Sequence, residues 1–196
     1  LIMDDGITCI YNGDNIVKLI FPEGKEKITT ADLPANLAFL KEVVLPPSVK
    51  EIGEDAFENI GLEKINLENV EIIGDYAFIG CKNLKEIVLP PSVKEIERYA
   101  FEYSGLEKIN LENVEKIEYC AFNWSGIKKI VIPDGVEVSV QGEEQAQVHN
   151  GVLYYFTEIS NKINQACGLN TFGDHIKLNF MTEKYAILKG MTFDKM

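Results

Sequence analysis

The chain has 196 residues, 46% of them apolar, which suits one elongated domain or a repeat array with a small appendage. Its formal charge is 19 − 31 = −12, so nucleic-acid phosphates and anionic membrane surfaces are disfavoured partners. No apolar run reaches the roughly 20 residues of a membrane span, and Cys9, Cys81, Cys120 and Cys167 form no CxxC pair of the zinc-binding kind.

The N-terminus reads LIMDDG, with neither a basic start nor an apolar signal core; a start at Leu1 leads us to expect a processed or excised fragment whose signal, if secreted, is already gone. Between two β-rich runs lies Asn12-Gly13, which predicts a tight hairpin with both central residues at positive φ. We expect residues 1–21 to form a β-hairpin cap that runs into a degenerate first repeat. Its role would be to cover the apolar end of a stack.

Repeat register begins at Ile16, Leu19 and Phe21, followed by Pro22-Glu23-Gly24. Then come LKEVVL (40–45), LEKINL (62–67), LKEIVL (84–89), LEKINL (106–111) and IKKIVI (127–132), spaced 22, 22, 22 and 21 residues. In each, the first, fourth and sixth positions are apolar, which predicts a short strand with one face inward; equal spacing stacks the strands in parallel. Leu40–Phe78 and Leu84–Phe122 superpose without a gap, and 29 of their 39 positions are identical at an offset of 84 − 40 = 44.

After each strand a corner is expected, spelled LPPSVKEI at 45–52 and 89–96 and, one residue shorter, LENVEII at 67–73 and LENVEKI at 111–117. Proline fixes φ without needing an amide partner, while Asn69 and Asn113 can satisfy corner backbone with their side chains. An Ala-Phe pair follows each corner, so Phe57, Phe78, Phe101 and Phe122 are the expected spine of the core. On the exposed strand positions, Lys41, Glu63, Lys85, Glu107 and Lys128 form one column and Glu42, Lys64, Glu86, Lys108 and Lys129 the next. Neighbouring turns thus set opposite charges side by side up to the last step, a pattern for register and solubility.

These residues together, LxxIxLPxSVxxIxxxAFxxCxxL, resemble the BspA-like leucine-rich repeats, a family known from bacterial and protist surface proteins. The resemblance covers about residues 16–139, and NGVLYYF at 150–156 is similar to islands found between such repeats. It implies a β-rich solenoid with a parallel strand ladder. It also implies non-catalytic binding of a protein or extracellular-matrix or glycan ligand, at the cell surface or after secretion. The family's recurrent Cys after Ala-Phe appears only as Cys81, with Ile60, Ser104 and Ser125 in its place elsewhere, so that column reads as small-residue packing.

Residues 140–196 are expected to form a mixed α+β capping segment. Val136, Val138 and Val140 alternate as a strand; 142–147 reads as a polar loop and 148–155 as a strand. Leu153, Phe156, Ile159 or Ser160, Ile163 and Cys167 fall at helical spacing before Gly168, and 175–180 with 185–188 reads as a strand pair.

The two long copies differ at ten positions, and eight of these flank the Ala-Phe pair. There the later copy gains Tyr99, Tyr103 and Tyr119, and the following turn adds Trp124, the one tryptophan of the chain. Large rings with a polar handle dominate interaction hot spots, so Tyr76, Tyr99, Tyr103, Tyr119 and Trp124 are the candidate edge of a surface for protein or glycan. The competing reading is drift in loosely packed loops, with the rings merely covering the solenoid edge.

No enzyme is predicted. His149 and His175 are the available neutral-pH bases, and Cys167 with Asp174-His175 matches no known signature, which leaves a thiol hydrolase as a remote alternative. Metal ligation by the two histidines is unspecified by their spacing, no phosphate loop is present, and no cofactor is expected. Asn123-Trp124-Ser125 fits the glycosylation pattern, which matters only in a eukaryotic secretory setting. The expected function is a binding scaffold, with a ligand-free structural spacer as the alternative.

Overall fold

The computed structural model describes residues 1–127, 133, 136–139, 145–149 and 152–155. It is a β-solenoid of about five turns with parallel strands. At the start, β1 (Thr8–Asn12) and β2 (Asn15–Ile20) pair antiparallel with Asn12 opposite Asn15. The turn is therefore Gly13-Asp14, with positive φ at Gly13 (61°) and not at Asn12 or Asp14, the pattern of a turn with glycine at its first central position. This corrects the expectation of two left-handed central residues.

The chain then lays down β3 (Lys27–Ile28), β4 (Glu42–Val44), β5 (Glu51–Ile52), β6 (Lys64–Ile65), β7 (Ile72–Ile73), β8 (Glu86–Ile87), β9 (Glu95–Ile96), β10 (Lys108–Ile109) and β11 (Lys116–Ile117). Four of the five expected strands appear as β4, β6, β8 and β10, and the fifth, at 127–132, lies outside the described residues except for Ile127. A second ladder was missed by the sequence reading, which placed β5, β7, β9 and β11 in corners. They form a sheet of their own, in the order β3, β5, β7, β9, β11, and it continues into β12 (Glu137–Ser139). Each of these strands presents one buried isoleucine, Ile52, Ile73, Ile96 or Ile117, beside a more exposed neighbour.

β12 is followed by an antiparallel pair, β13 (Gln145–His149) and β14 (Val152–Tyr155). Residues 145–147, expected as loop, are thus strand, and Leu153 stands in β14 rather than opening a helix. The remainder of the expected helix, the strands at 175–180 and 185–188, and Lys128, Lys129, Cys167 and His175 lie outside the described residues.

The first ladder joins β1, β2, β4 and β6, then resumes as a separate pair, β8 with β10. The two corner spellings account for this grouping. Asn66 Oδ1 accepts the Leu45 amide (2.7 Å) while its Nδ2 donates to the Leu45 carbonyl (2.9 Å), so a side-chain amide takes the place of one step of backbone ladder. Asn110 repeats this on Leu89 at 2.7 and 2.9 Å. A short corner therefore docks on the long, proline-bearing corner before it. At that corner Asn69 also donates to Pro47 (3.0 Å), as its position suggested.

Phe57, Phe78, Phe101 and Phe122 are fully buried and their rings stack at 5.4, 5.3 and 5.5 Å. Burying each phenyl group contributes roughly 1.5–3 kcal/mol, which makes this spine the chief apolar reservoir of the fold. The cysteine column behaves as packing: Cys81 Sγ donates to the Phe57 carbonyl (3.1 Å), Ser104 Oγ donates to that of Phe101 (2.7 Å), and burial pushes the Cys81 thiol up to about 12.

Candidate functional site

The segments around each Ala-Phe pair are chains of tight turns, and their amides alternate in direction. Ala56, Glu58 and Ile60 donate within their own turn, while Asp55, Phe57 and Asn59 donate along the solenoid axis to Asp75, Ala77 and Ile79 of the next coil. The same alternation recurs from Tyr76, Phe78 and Gly80 to the third coil, and from Tyr99, Phe101 and Tyr103 to the fourth, at 2.7–3.1 Å. Presenting alternate amides axially requires left-handed backbone on both sides of the phenylalanine. Positive φ accordingly occurs in two columns: Asp55, Tyr76, Tyr99 and Cys120 before the Ala-Phe pair, and Asn59, Gly80, Tyr103 and Trp124 after it.

Four of the five predicted site residues occupy these columns. Asp, Asn and Gly tolerate left-handed backbone, whereas a bulky residue there costs about 1–2 kcal/mol. The axial hydrogen bonds hold Tyr76 (57°), Tyr99 (56°) and Tyr103 (52°) in that conformation all the same, and Trp124 (51°) adopts it as well. Tyr119 has ordinary backbone, and its neighbour Cys120 takes the left-handed place.

The rings fall into two groups. Tyr76 stacks on Tyr99 at 4.9 Å with planes 6° apart, and Tyr119 meets Tyr99 edge-on at 5.6 Å; all three are half-buried. Tyr103 and Trp124 stand in the second column, 48% and 51% exposed. Lys82 Nζ sits 5.4 Å from the Tyr103 ring centroid and donates to the Tyr103 carbonyl.

Glu102, between these groups in sequence, was not singled out from the sequence. It is 9% exposed, accepts a 2.6 Å hydrogen bond from Asn123 Nδ2, and its carboxyl is pushed up by burial despite that bond. Burial, together with negative charge that includes Glu102, raises the Tyr76, Tyr99 and Tyr119 hydroxyls. Cys120 is a buried free thiol pushed up to about 11, by burial first, with Tyr119 as its hydrogen-bond partner. Such a thiol is protonated at neutral pH and a poor nucleophile.

The strand faces are different. Lys18 pairs with Glu42 (2.9 Å), Lys41 with Glu63 (3.0 Å), Lys85 with Glu107 (3.6 Å) and Lys108 with Glu86 (3.9 Å); the second ladder adds Lys27–Glu51, Lys50–Glu71 and Lys94–Glu115 at 2.6–3.2 Å. A groove of about 620 Å³ lies over β4, β6 and β8 where the first ladder is interrupted, with exposed Val88 on its wall. Three of the four carboxylates that line it, Glu42, Glu63 and Glu86, are those already paired; the fourth is Glu68. Among the described residues no group of three or more His, Cys, Asp or Glu is arranged to hold a metal, and no helix is long and apolar enough to cross a membrane.

Two solved structures share similarity with the chain. A leucine rich cell surface protein from Faecalibacterium prausnitzii A2-165 aligns at 21% identity and a TM-score of 0.43, over 80% of this chain and 58% of its own. A leucine-rich repeat protein from Bacteroides ovatus ATCC 8483 aligns at 25% identity and a TM-score of 0.38, over 72% and 37%. The chain thus spans less than two thirds of either neighbour. No curated protein matches it. The model of the BspA type leucine rich repeat region matches residues 6–128 in 6 copies, and the chain belongs to that family.

Proposed function

We propose that this protein is a non-catalytic binding scaffold whose partner, a protein or a matrix or glycan ligand, is engaged by the ridge of Tyr76, Tyr99, Tyr103, Tyr119 and Trp124. The observation that carries this reading is the placement of large rings on left-handed backbone. Where other coils use Asp55, Asn59 and Gly80, this region bears bulky side chains that backbone preference opposes, and Tyr103 and Trp124 leave about half of their surface in water. Rings retained against their local backbone preference and left exposed are accounted for by contact with something outside the chain. A surface or secreted location and an adhesin-like role follow what the family resemblance implies, and capping by the N-terminal hairpin and the C-terminal segment follows from the need to cover the apolar ends of a stack.

The test is a binding screen against immobilised matrix proteins and glycans with wild-type protein and the double variant Tyr103→Asn/Trp124→Asn. Loss of the bound signal, with the variant folded and at least as heat-stable as wild type, is the expected result. Unchanged binding would transfer the site elsewhere, and an absence of ligand across the screen would favour the spacer.

A further inference from the structure

The ridge has a charge character that narrows its partner. Around the Ala-Phe pairs, segment 53–60 carries Glu54, Asp55 and Glu58, segment 74–81 carries Asp75, segment 97–104 carries Glu97 and Glu102, and segment 118–125 carries Glu118; the single base in all four is Arg98. The sum is 1 − 7 = −6 in these 32 residues, and −5 with Lys82, which follows the second segment directly. On the strand faces nearly every carboxylate has a lysine beside it. Here the internal partners are mostly dipoles: Glu97 accepts the Asp75 amide (3.1 Å), Asp75 accepts the Arg98 amide (2.8 Å) and Glu102 accepts Asn123, with Glu118 to Lys116 (2.6 Å) the ion pair of the set. Amides orient these carboxylates without cancelling their charge.

A second observation is independent of this count. The chain already places one ammonium group on the ridge, since Lys82 lies over the Tyr103 ring and bonds to its backbone. Tyrosine and tryptophan faces attract cations, and the attraction is reinforced by carboxylates in the same band. The repeat spacing also fits an extended chain. Parallel coils rise about 4.8 Å each, so four coils offer a track of about 14 Å, the reach of four to five residues of extended peptide.

We infer that the partner of this ridge is a cationic protein segment, its arginine or lysine side chains lying on the exposed rings of Tyr103 and Trp124 and against the carboxylates of the same band. The inference rests on the binding role proposed above and specifies its chemistry. Anionic glycans are repelled by the same field, and a neutral glycan leaves the excess of carboxylates without a function.

Trp124 is the sole tryptophan, so its fluorescence reports directly on the ridge. The full chain would be titrated with a fluorescein-labelled octapeptide of alternating arginine and glycine, with the same peptide carrying glutamate, and with a neutral β-glucan hexasaccharide. Saturable anisotropy and a Trp124 response with the arginine peptide alone are expected. Tyr103→Ala/Trp124→Ala should weaken binding by about tenfold, as expected for two exposed cation–π contacts. Glu54→Gln/Glu58→Gln on the band should weaken it several-fold, while Glu63→Gln/Glu107→Gln on the strand face, with the same change of net charge, should leave it within about twofold. Equal loss from the two glutamine pairs would reduce the effect to net charge and overturn the inference. A Trp124 response to the hexasaccharide and not to the arginine peptide would overturn the cationic partner while leaving the ridge as a binding site. Peptide binding indifferent to the ring substitutions would remove the ridge itself.

Discussion

The two 39-residue copies, Leu40–Phe78 and Leu84–Phe122, differ in what they ask of the same backbone. Strand, corner and spine are nearly identical in both. In the column after the phenylalanine, the earlier coils hold Asn59 and Gly80, residues that suit left-handed backbone, and the later coils hold Tyr103 and Trp124, which do not. Gly80 is doubly fitted, because a Cβ there would stand 2.1 Å from Asn59 Oδ1. At the end of each second-ladder strand the earlier coils have Gly53 and Gly74 and the later ones Glu97 and Glu118. In this column and at the strand ends the earlier coils are thus built for the coil, although Tyr76, in the column before the Ala-Phe pair, already stands on left-handed backbone, and the later coils have accepted more local strain and charge on an unchanged frame. Stability and recognition are distributed to different columns of one repeat.

The largest expected effect tests what the copies share. Phe101→Ala should cost about 3–5 kcal/mol, and Phe57→Ala a similar amount, because both rings are fully buried in one stack. Thermal or denaturant unfolding would read this, and a much smaller loss in one copy would show that the stack is not continuous. Next in size is a test of where the copies diverge despite identical sequence. A Cβ at Gly105 would meet the Lys82 carbonyl at 1.9 Å, whereas at the equivalent Gly61 the closest atom is Asn83 Nδ2 at 3.4 Å. Gly105→Ala should therefore lose about 3 kcal/mol or more and Gly61→Ala less than about 1 kcal/mol.

Removing a docking amide comes third. Asn110→Ala leaves the Leu89 amide and carbonyl without that partner and should cost about 1–3 kcal/mol, and Asn66→Ala should match it. Smaller again, Tyr103→Asn should stabilise by about 1 kcal/mol through relief of left-handed strain, and the reverse exchange Asn59→Tyr should destabilise by a like amount. Calorimetric Tm values would show the opposite signs, and a loss of stability in Tyr103→Asn would contradict the strain account.

The smallest effect is a pH dependence. Burial raises the Glu102 carboxyl above the ordinary carboxylate range, so the folded chain holds a proton there that the unfolded chain has already released. This contribution to stability is present at low pH and is lost as pH rises from the ordinary range through the raised folded value. Glu102→Gln should flatten that part of a stability–pH profile relative to wild type, with exposed Glu58→Gln as the control; identical profiles would place the carboxyl in water.

The strand spacing, the phenylalanine spine and the alternating charges were legible because each repeats at a fixed interval with unmistakable chemistry. The second ladder was not, because a strand of two residues such as Glu51–Ile52 has room for one inward side chain and no alternation to detect. Left-handed backbone at Tyr76, Tyr99, Tyr103 and Trp124 was hidden by the residues themselves, which never advertise that conformation. The signal lay in their columns, where Asp55, Asn59 and Gly80 are familiar turn formers. Placing Asn66 and Asn110 was possible in principle, since they alternate with Val44 and Val88 in step with the shorter corner. Glu102 was missed because nothing in its neighbours along the chain forecasts its burial. Beyond residue 155 the expectations stay those of sequence alone.

The docking of Asn66 on Leu45 and of Asn110 on Leu89 gives the coil a parity. An asparagine corner needs a proline corner beneath it, so inserting one coil would stack two corners of the same kind and leave a Leu-type amide without its mate. Two coils, 44 residues, can be added with every such bond intact, extending the array by about 10 Å at the ordinary spacing of parallel strands. The interruption of the first ladder between β6 and β8 falls at the seam between such pairs. The unit in which this array can lengthen without loss is the couple of unlike turns, and each added couple brings fresh sites in the two columns beside the spine.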